Sequence, residues 1–308
     1  MPVVCLVGPT AAGKSELALA LAKKLNGEII SCDSMQIYRG IDIASGKPTK
    51  TQSRRIKHHL IDILKSSREY NAARFQAEAK KIIKKIHQQG KLPLLVGGTG
   101  LYLRALLDGL FKGPGQSIAW RRKFYQQAQK HGPAYLHQKL QKIDPEAARS
   151  IHPHDLRRIV RALEVYQTTK QPISELRKKT EGLRADYDWF IFGLNRPRHE
   201  LYQRIERRVE SMFRRGLAAE IKRLSRQKIS QTAQALLGYK EISGWLNGEY
   251  SKEKAKELLK RNTRHYAKRQ LSWFRKEKDL EWIEIREWDN PKLVANKIIA
   301  LLADQLTS

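Results

Sequence analysis

The run from Val3 to Ser15 constrains this chain more than any other stretch. Val3-Val4-Cys5-Leu6-Val7 is a short apolar segment and reads as a buried parallel strand. It breaks directly into Gly8-Pro9-Thr10-Ala11-Ala12-Gly13-Lys14-Ser15, the spacing of a phosphate-binding loop. Behind it Leu17, Leu21 and Leu25 fall four apart, with Ala18 and Ala22 beside them, which predicts one apolar helical face. The glycines let backbone N–H groups turn inward around phosphate oxygens, at a helix N-terminus that already favours negative charge. Lys14 adds a point charge and the Ser15 hydroxyl suits a Mg²⁺ ion. The loop therefore specifies a phosphate or diphosphate, without saying whose.

Charge narrows the partner. Lys and Arg number 60 against 31 Asp and Glu, a formal net charge of +29. An excess of that size points to a polyanion, most simply a nucleic acid. No apolar run approaches the roughly 18 residues of a membrane span, so a membrane partner is not expected. Met1 leads straight into a strand with no basic region or cleavage site, so no targeting signal is expected either. Cys5 and Cys32 sit inside strand-like runs and read as buried thiols of a reducing cytoplasm.

Along the chain the α/β texture continues. Glu28 to Cys32 reads as a second strand that ends in Asp33-Ser34-Met35-Gln36-Ile37-Tyr38. Carboxyl ends of parallel strands form the ligand crevice, which would bring Asp33 near the phosphate loop. There it could ligate magnesium through water, act as a general base, or merely cap a helix. His58 to Ile63 reads as a third strand; adjacent histidines on a strand point to opposite faces, so a shared metal is rejected. Asn71 is expected to cap a helix that turns Phe75, Ala79, Ile82, Ile83 and Ile86 inward, before a strand at Leu92 to Val96. Gly97-Gly98-Thr99-Gly100 then makes a second glycine turn at the same sheet edge, expected to complete the pocket.

From about Leu110 the pattern changes to helices without strands, predicting an insertion over residues 113–182 within a core formed by 1–112 and 183–308. The insertion is basic, with Arg121, Arg122 and Lys123 on one helix and Arg157, Arg158 and Arg161 on another behind the cap Asp155. The sheet resumes at Trp189 to Leu194. Arg196 to Arg215 is expected to be a long arginine-rich helix, in which one arginine could reach a diphosphate bidentately. Lys252 to Lys278 is the most basic segment, with Tyr266, Trp273 and Phe274 interleaved, a composition suited to an RNA backbone and unstacked bases. A last strand, Leu280 to Ile285, and a terminal helix close the chain. The fold class expected is α/β, a P-loop NTPase-like parallel sheet flanked by helices, with an all-helical insertion.

Six motifs now stand in order: the phosphate loop 8–15, Asp-Ser-Met-Gln-Ile-Tyr (33–38), Gly-Gly-Thr-Gly-Leu-Tyr (97–102), Arg-Ile-Glu-Arg-Arg-Val (204–209), Leu-Gly-Tyr-Lys-Glu (237–241) and Asn-Thr-Arg-His-Tyr-Ala-Lys-Arg-Gln (262–270). Together they resemble the tRNA isopentenyltransferase family, over nearly the whole chain and without a departure at the motif positions. The chain ends soon after its last helix and so resembles the bacterial form, which lacks the zinc-finger tail of eukaryotic relatives.

The resemblance implies transfer of a dimethylallyl group from dimethylallyl diphosphate to the exocyclic amine of the adenosine 3′ of a tRNA anticodon. Gly8, Pro9, Thr10, Ala11, Ala12, Gly13, Lys14 and Ser15 would hold the diphosphate, with Mg²⁺ at Ser15. Lys14 and Arg208 would absorb the charge that develops as the allylic bond breaks, and Thr99 would line the same pocket. Asp33 would take a proton from the amine or hold it in line for attack. Ser34, Met35 and Gln36 would grip the target base beside Asp33 and Thr99. Arg121 and the stretch Arg157, Arg158, Ile159, Val160 and Arg161 would belong to the surface that meets the anticodon stem-loop. The target base must be swung out of its stack, at a cost of a few kcal/mol that phosphate contacts would offset. A cytoplasmic monomer is expected, because the tRNA itself would cover the basic surface.

Two rivals use the same loop. A nucleoside or nucleotide kinase explains the sheet, but not the charge or the basic aromatic helix; ATP and nucleosides would yield phosphate esters. A non-catalytic, nucleotide-gated RNA-binding protein predicts that Asp33→Ala leaves every activity intact.

Overall fold

A computed structural model describes residues 1–111 and 113–307. The chain separates into two compact units, Met1–Leu107 with Leu183–Ser308, and Asp108–Gly182. Lys112, where the expected boundary fell, and Ser308 lie outside the described residues.

The first unit carries strands β1 (Pro2–Val7), β2 (Gly27–Cys32), β3 (His58–His59), β4 (Leu92–Gly97), β5 (Asp188–Asn195) and β6 (Leu280–Glu284). They lie in the order β3-β2-β4-β1-β5-β6, and every neighbouring pair is parallel. Parallel strands need crossovers, supplied before β5 by helices α1 (Lys14–Lys24), α2 (Lys50–Arg55), α3 (Ala72–Gln88) and α4 (Gly100–Leu107). β1 lies inside the sheet and under helices, which is why Val3, Val4, Cys5 and Leu6 form an unbroken apolar run rather than an alternating one. Burial pushes both the Cys5 and Cys32 thiols well up, leaving them neutral and inert.

The register matters for function. Val7 of β1 and Cys32 of β2 both pair with Gly97 of β4, so the three strands end level with one another. The phosphate loop, Asp33 and the second glycine turn therefore emerge side by side on one edge.

The third strand is shorter than its sequence suggests. Only His58 and His59 pair with β2, and the chain then takes left-handed φ values of 60° at Leu60 and 56° at Asp62. Those two residues break the extension that the apolar pattern from His58 to Ile63 implies. Lys47 holds the break, its ammonium donating to the Tyr38 carbonyl and to the Asp42 and Asp62 carboxylates.

At the other end of the strands Glu28 is a buried carboxylate between His59 (2.7 Å), Lys91 (2.8 Å) and Lys57 (3.4 Å). Burial alone would raise its pKa, but Lys91, His59 and Lys57 outweigh it and hold the group at about 2. A folded pKa below the unfolded one stabilises above the unfolded value, and that contribution is lost as pH falls from about 4.5 toward 2. Acid titration followed by circular dichroism is expected to show a loss of order 3 kcal/mol across this window, flattened in Glu28→Gln.

After β5 come α10 (Arg198–Arg214), α11 (Leu217–Ser225), α12 (Gln231–Gln234), α13 (Tyr239–Leu246), α14 (Lys252–Phe274) and α15 (Pro291–Thr307). α10 starts after Pro197 and stops before Gly216, close to the expected Arg196–Arg215. α14 is shorter than the basic segment, ending at Phe274. It packs on α10 through Leu201, Ile205, Ala267 and Leu271, and Glu210 and Glu206 of α10 pair with Lys256, Lys260 and Arg264.

The second unit is helical among the described residues, with α5 (Ile118–His131), α6 (Pro133–Ile143), α7 (Pro145–Ser150), α8 (Leu156–Thr169) and α9 (Ile173–Lys178). It has its own apolar core, around Phe124, Leu136, Leu140, Ile159, Val160 and Leu163.

Candidate active site

The phosphate loop is gripped from behind. Ala11 takes a left-handed φ of 64°, and its carbonyl accepts from Arg204 Nε at 2.9 Å. The Ala12 carbonyl accepts from Arg196 Nε at 2.9 Å, and Arg196 is buried against Glu200. These two arginines tie back the carbonyls of Ala11 and Ala12, while the Thr10 N–H donates to Gln270 Oε1 and the Ala12 N–H to the Pro9 carbonyl. Lys14 Nζ donates to the Gly8 and Pro9 carbonyls at 2.9 and 2.7 Å, which leaves its third N–H for a phosphate. Burial pulls the Lys14 pKa down to about 8; Asp33 works against that, and Arg208 adds to it.

Two cavities open beside this loop. The first is lined by Lys14 and Ser15 together with Asp33, Gln36, Ser45, Gly46, Arg204, Arg208, Tyr266 and Gln270. The second has a largely apolar wall of Met35, Ala44, Val209, Met212, Leu236, Leu237 and Leu259. Thr10, Asp33, Ser45, Arg208 and Tyr266 line both. A charged site for an anion and an apolar slot thus meet at one carboxylate and one guanidinium.

Asp33 follows β2 directly. Its Oδ1 accepts from Met35 N at 2.8 Å and more weakly from Gln36 N at 3.4 Å, so it caps a turn rather than a helix. Oδ2 takes no partner among the described residues. Thr99 supports this turn: its hydroxyl accepts the Ser34 N–H at 3.2 Å, and its own N–H bonds the Cys32 carbonyl. Thr99 is absent from the lining of both cavities and reaches them through the turn it holds. The Gln36 amide is engaged inside the fold, with Ser31 Oγ at 2.8 Å and the Gly46 carbonyl at 3.4 Å. Burial lowers the Arg208 pKa, Asp33 opposes this and Arg215 reinforces it.

The loop bearing Ser45 and Gly46 has an anchor that no motif announces. The Glu220 carboxylate, 5% exposed on α11, accepts the N–H groups of Asp42, Ile43 and Ala44 at 2.8, 2.8 and 2.9 Å. Arg223 of the same helix bonds the Gly40 carbonyl. Glu220→Ala orphans three donors at once; hydrogen bonds to charged groups are worth about 1.5–3 kcal/mol each. The variant is expected to lose roughly 4–5 kcal/mol in thermal unfolding, the low end of that sum, and to weaken binding at the first cavity.

The insertion residues fall out differently. Arg157 and Arg158 are exposed on α8. Ile159 and Val160 are 0% and 1% exposed in the core of their unit, so their side chains have no surface to offer an RNA. Arg121 and Arg161 are half-buried and committed to Glu164, which is 0% exposed and also accepts the Ser117 N–H at 2.6 Å. The resemblance implied that both arginines face RNA; in the fold each is also held by an internal pair to Glu164.

Sequence reasoning read Tyr266 as an aromatic for unstacked RNA bases and let an unspecified arginine of 196–215 reach the diphosphate. In the fold Tyr266 lines both cavities, and Arg196 and Arg204 hold the phosphate loop. Gln270 and Glu220 were given no role of their own. Gln270 carried a signal, since it falls in the buried stripe Ala255, Leu259, Thr263, Ala267, Gln270 and Phe274 of α14, where an amide needs partners. Glu220 carried none, because its partners lie far upstream in the chain.

The loop, the parallel sheet and the two confluent cavities define a P-loop-like α/β protein with one cavity suited to an anion and one with a largely apolar wall. The sequence profile of the IPP transferase family matches residues 36–277, and this chain belongs to that family. The tRNA dimethylallyltransferase of Halothermothrix orenii is 45% identical over 294 residues, covering 94% of this chain and 90% of that protein. The full-length tRNA isopentenylpyrophosphate transferase of Bacillus halodurans superposes with a TM-score of 0.72 at 40% identity, over 98% of this chain and 96% of its own. A eukaryotic dimethylallyltransferase acting on tRNA superposes with a TM-score of 0.80 at 32% identity, over 99% of this chain and 79% of its own.

Proposed function

We propose that this chain transfers the dimethylallyl group of dimethylallyl diphosphate to the exocyclic N6 amine of the adenosine 3′-adjacent to the anticodon, in tRNAs that read codons beginning with U. The observation that carries this reading is the meeting of the two cavities at Asp33 and Arg208. An apolar slot of Met, Leu and Val beside an anion site suits a flat purine base, and the net charge of +29 favours a base carried on RNA over one on a free nucleoside. The family and its named relatives supply the chemical class, tRNA prenylation.

In this mechanism the phosphate loop, Lys14 and Arg208 hold the diphosphate, and the adenine enters between Met35 and Leu236. The allylic C–O bond breaks with its electron pair leaving on the diphosphate, whose growing charge Lys14 and Arg208 meet. The N6 lone pair forms the new N–C bond and its proton passes to Asp33 Oδ2. An aryl amine is a poor nucleophile, so its alignment against the allylic carbon contributes as much as proton removal. Ser15, exposed beside Lys14 at the start of α1, fits a Mg²⁺ ion. Magnesium takes one or two protein oxygens and fills its shell with phosphate and water. When bound, it would neutralise part of the diphosphate charge.

The exposed Lys268 and Arg269 of α14, with Arg157 and Arg158 of the insertion, are proposed to meet the anticodon stem-loop by phosphate contacts. The protein is proposed to act as a cytoplasmic monomer, the tRNA covering its basic face. No helix among the described residues is long and apolar enough to cross a membrane.

The test is incubation with radiolabelled dimethylallyl diphosphate, Mg²⁺ and an unmodified anticodon stem-loop carrying the target adenosine. Label is expected in that adenosine. RNA that binds but stays unlabelled, while ATP yields phosphate esters with nucleosides, would overturn the reading.

A further inference from the structure

The second glycine turn lines the first cavity at Gly97 and Gly98, as expected from sequence, and two of its glycines, Gly98 and Gly100, also face α14. The Gln270 side chain, 6% exposed, donates from Nε2 to the Gly98 carbonyl at 2.8 Å and accepts the Thr10 N–H on Oε1 at 2.9 Å. A Cβ on Gly98 would stand 2.2 Å from Gln270 Nε2, and one on Gly100 would stand 2.2 Å from the Trp273 ring. Neither glycine has a left-handed φ, so what requires glycine there is the close approach of α14. Arg104 of α4 lies over the other side of this seat, 4.8 Å from the Trp273 ring centre.

One amide therefore joins two neighbouring loops, the phosphate loop and the second glycine turn. Thr10 belongs to the phosphate loop and lines both cavities. Gly98 adjoins Thr99, whose hydroxyl holds the Asp33 turn through Ser34. Thr10, Gln270, Gly98, Thr99 and Ser34 form a connected run from the diphosphate seat to the general base.

We propose that Gln270 is a positioning residue that registers the phosphate loop against the Asp33 turn, so that the donor's leaving group and the acceptor amine are held in line. The proposal rests on the transferase reading above for its chemistry, but the geometry of the phosphate loop can be tested without it. Gln270 lines the first cavity, but its amide is committed to Thr10 and Gly98, and it acts through the loops that it joins. Its loss misplaces the loop, and a misplacement of about 1 Å can cost about 10²-fold in rate.

The test is a double-mutant cycle on Gly98→Ala, Gln270→Ala and their combination, with Gln270→Met as the variant that preserves packing. Two quantities are read: the affinity for inorganic pyrophosphate with Mg²⁺ by calorimetry, and kcat against the tRNA KM in the transfer reaction. Gly98→Ala acts by driving the Gln270 amide off its partners, so adding Gln270→Ala to it removes nothing further. Each single variant is expected to bind pyrophosphate about tenfold more weakly and to lose about 10–100-fold in kcat with the tRNA KM within about twofold; the double is expected to match Gln270→Ala alone. Multiplicative losses in the double would overturn the proposal. So would wild-type pyrophosphate affinity in Gln270→Met, or losses that vanish when activity is expressed per folded molecule from the melting curve. If the wild-type enzyme transfers no prenyl group, the transferase reading fails while the pyrophosphate cycle still decides the role of Gln270.

Discussion

Asp33→Asn is expected to lower single-turnover prenyl transfer by roughly 10²–10⁴-fold while leaving RNA affinity within about twofold. Asparagine keeps the Oδ1 acceptor that Met35 and Gln36 use, so the turn stays in place. What goes is the oxygen proposed to take the amine proton. RNA binding is proposed to rest mainly on phosphate contacts made elsewhere, which the substitution does not touch. Filter binding run beside the transfer assay separates the two, and transfer within about threefold of wild type would remove Asp33 from the mechanism. The same variant has a second signature. Asp33 works against the depression of the Lys14 pKa, so removing its charge by Asp33→Asn lets that ammonium lose its proton at a lower pH still.

Lys14→Met is expected to weaken binding of dimethylallyl diphosphate by about 10–100-fold, the worth of a charge-assisted hydrogen bond to a phosphate. The pH dependence carries the sign. Lys14 is an ammonium below about 8 and neutral above it, and only the ammonium attracts the diphosphate. Donor affinity is therefore highest below about pH 8 and declines as pH rises through that value, because the folded environment has lowered the pKa from 10.5. In Lys14→Met the alkaline decline should be absent. Titrations of wild type and variant from about pH 7 to about pH 10 check both statements; an unchanged decline in the variant would assign it to another group.

These two residues show what a linear reading can reach. Lys14 sits inside a motif whose spacing, strand and helix are contiguous, so its neighbours in sequence are also its neighbours in space. Asp33 follows from the rule that parallel strands end at a common crevice, and the pairing of Val7 and Cys32 with Gly97 bears that placement out. The sheet, its helices and the family were legible for the same reason, since apolar runs and glycine turns are local signals. His58 to Ile63 marks the limit of such signals. An apolar pattern suggested a strand, and left-handed turns at Leu60 and Asp62, held by Lys47 from elsewhere, ended it after two residues.

Side chains that act across long loops were not legible. The resemblance implied that Arg121 belongs to the RNA-facing surface, and nothing local to its helix announces the ion pair that folding gives it with Glu164 of α8. Arg161 has that glutamate three residues along its own helix, and burial of the shared carboxylate turns an ordinary surface pair into an internal one. Glu220 and Gln270 looked like ordinary polar residues of charged helices, until folding brought one to the N–H groups of Asp42, Ile43 and Ala44 and the other to Thr10 and Gly98. The sequence by itself determined the phosphate loop, the parallel α/β sheet, the basic character and the family, because those depend on periodicity, spacing and composition. Only the tertiary structure decided how the two cavities meet and what braces them, because a buried polar group takes whichever partner the fold presents, however distant in the chain.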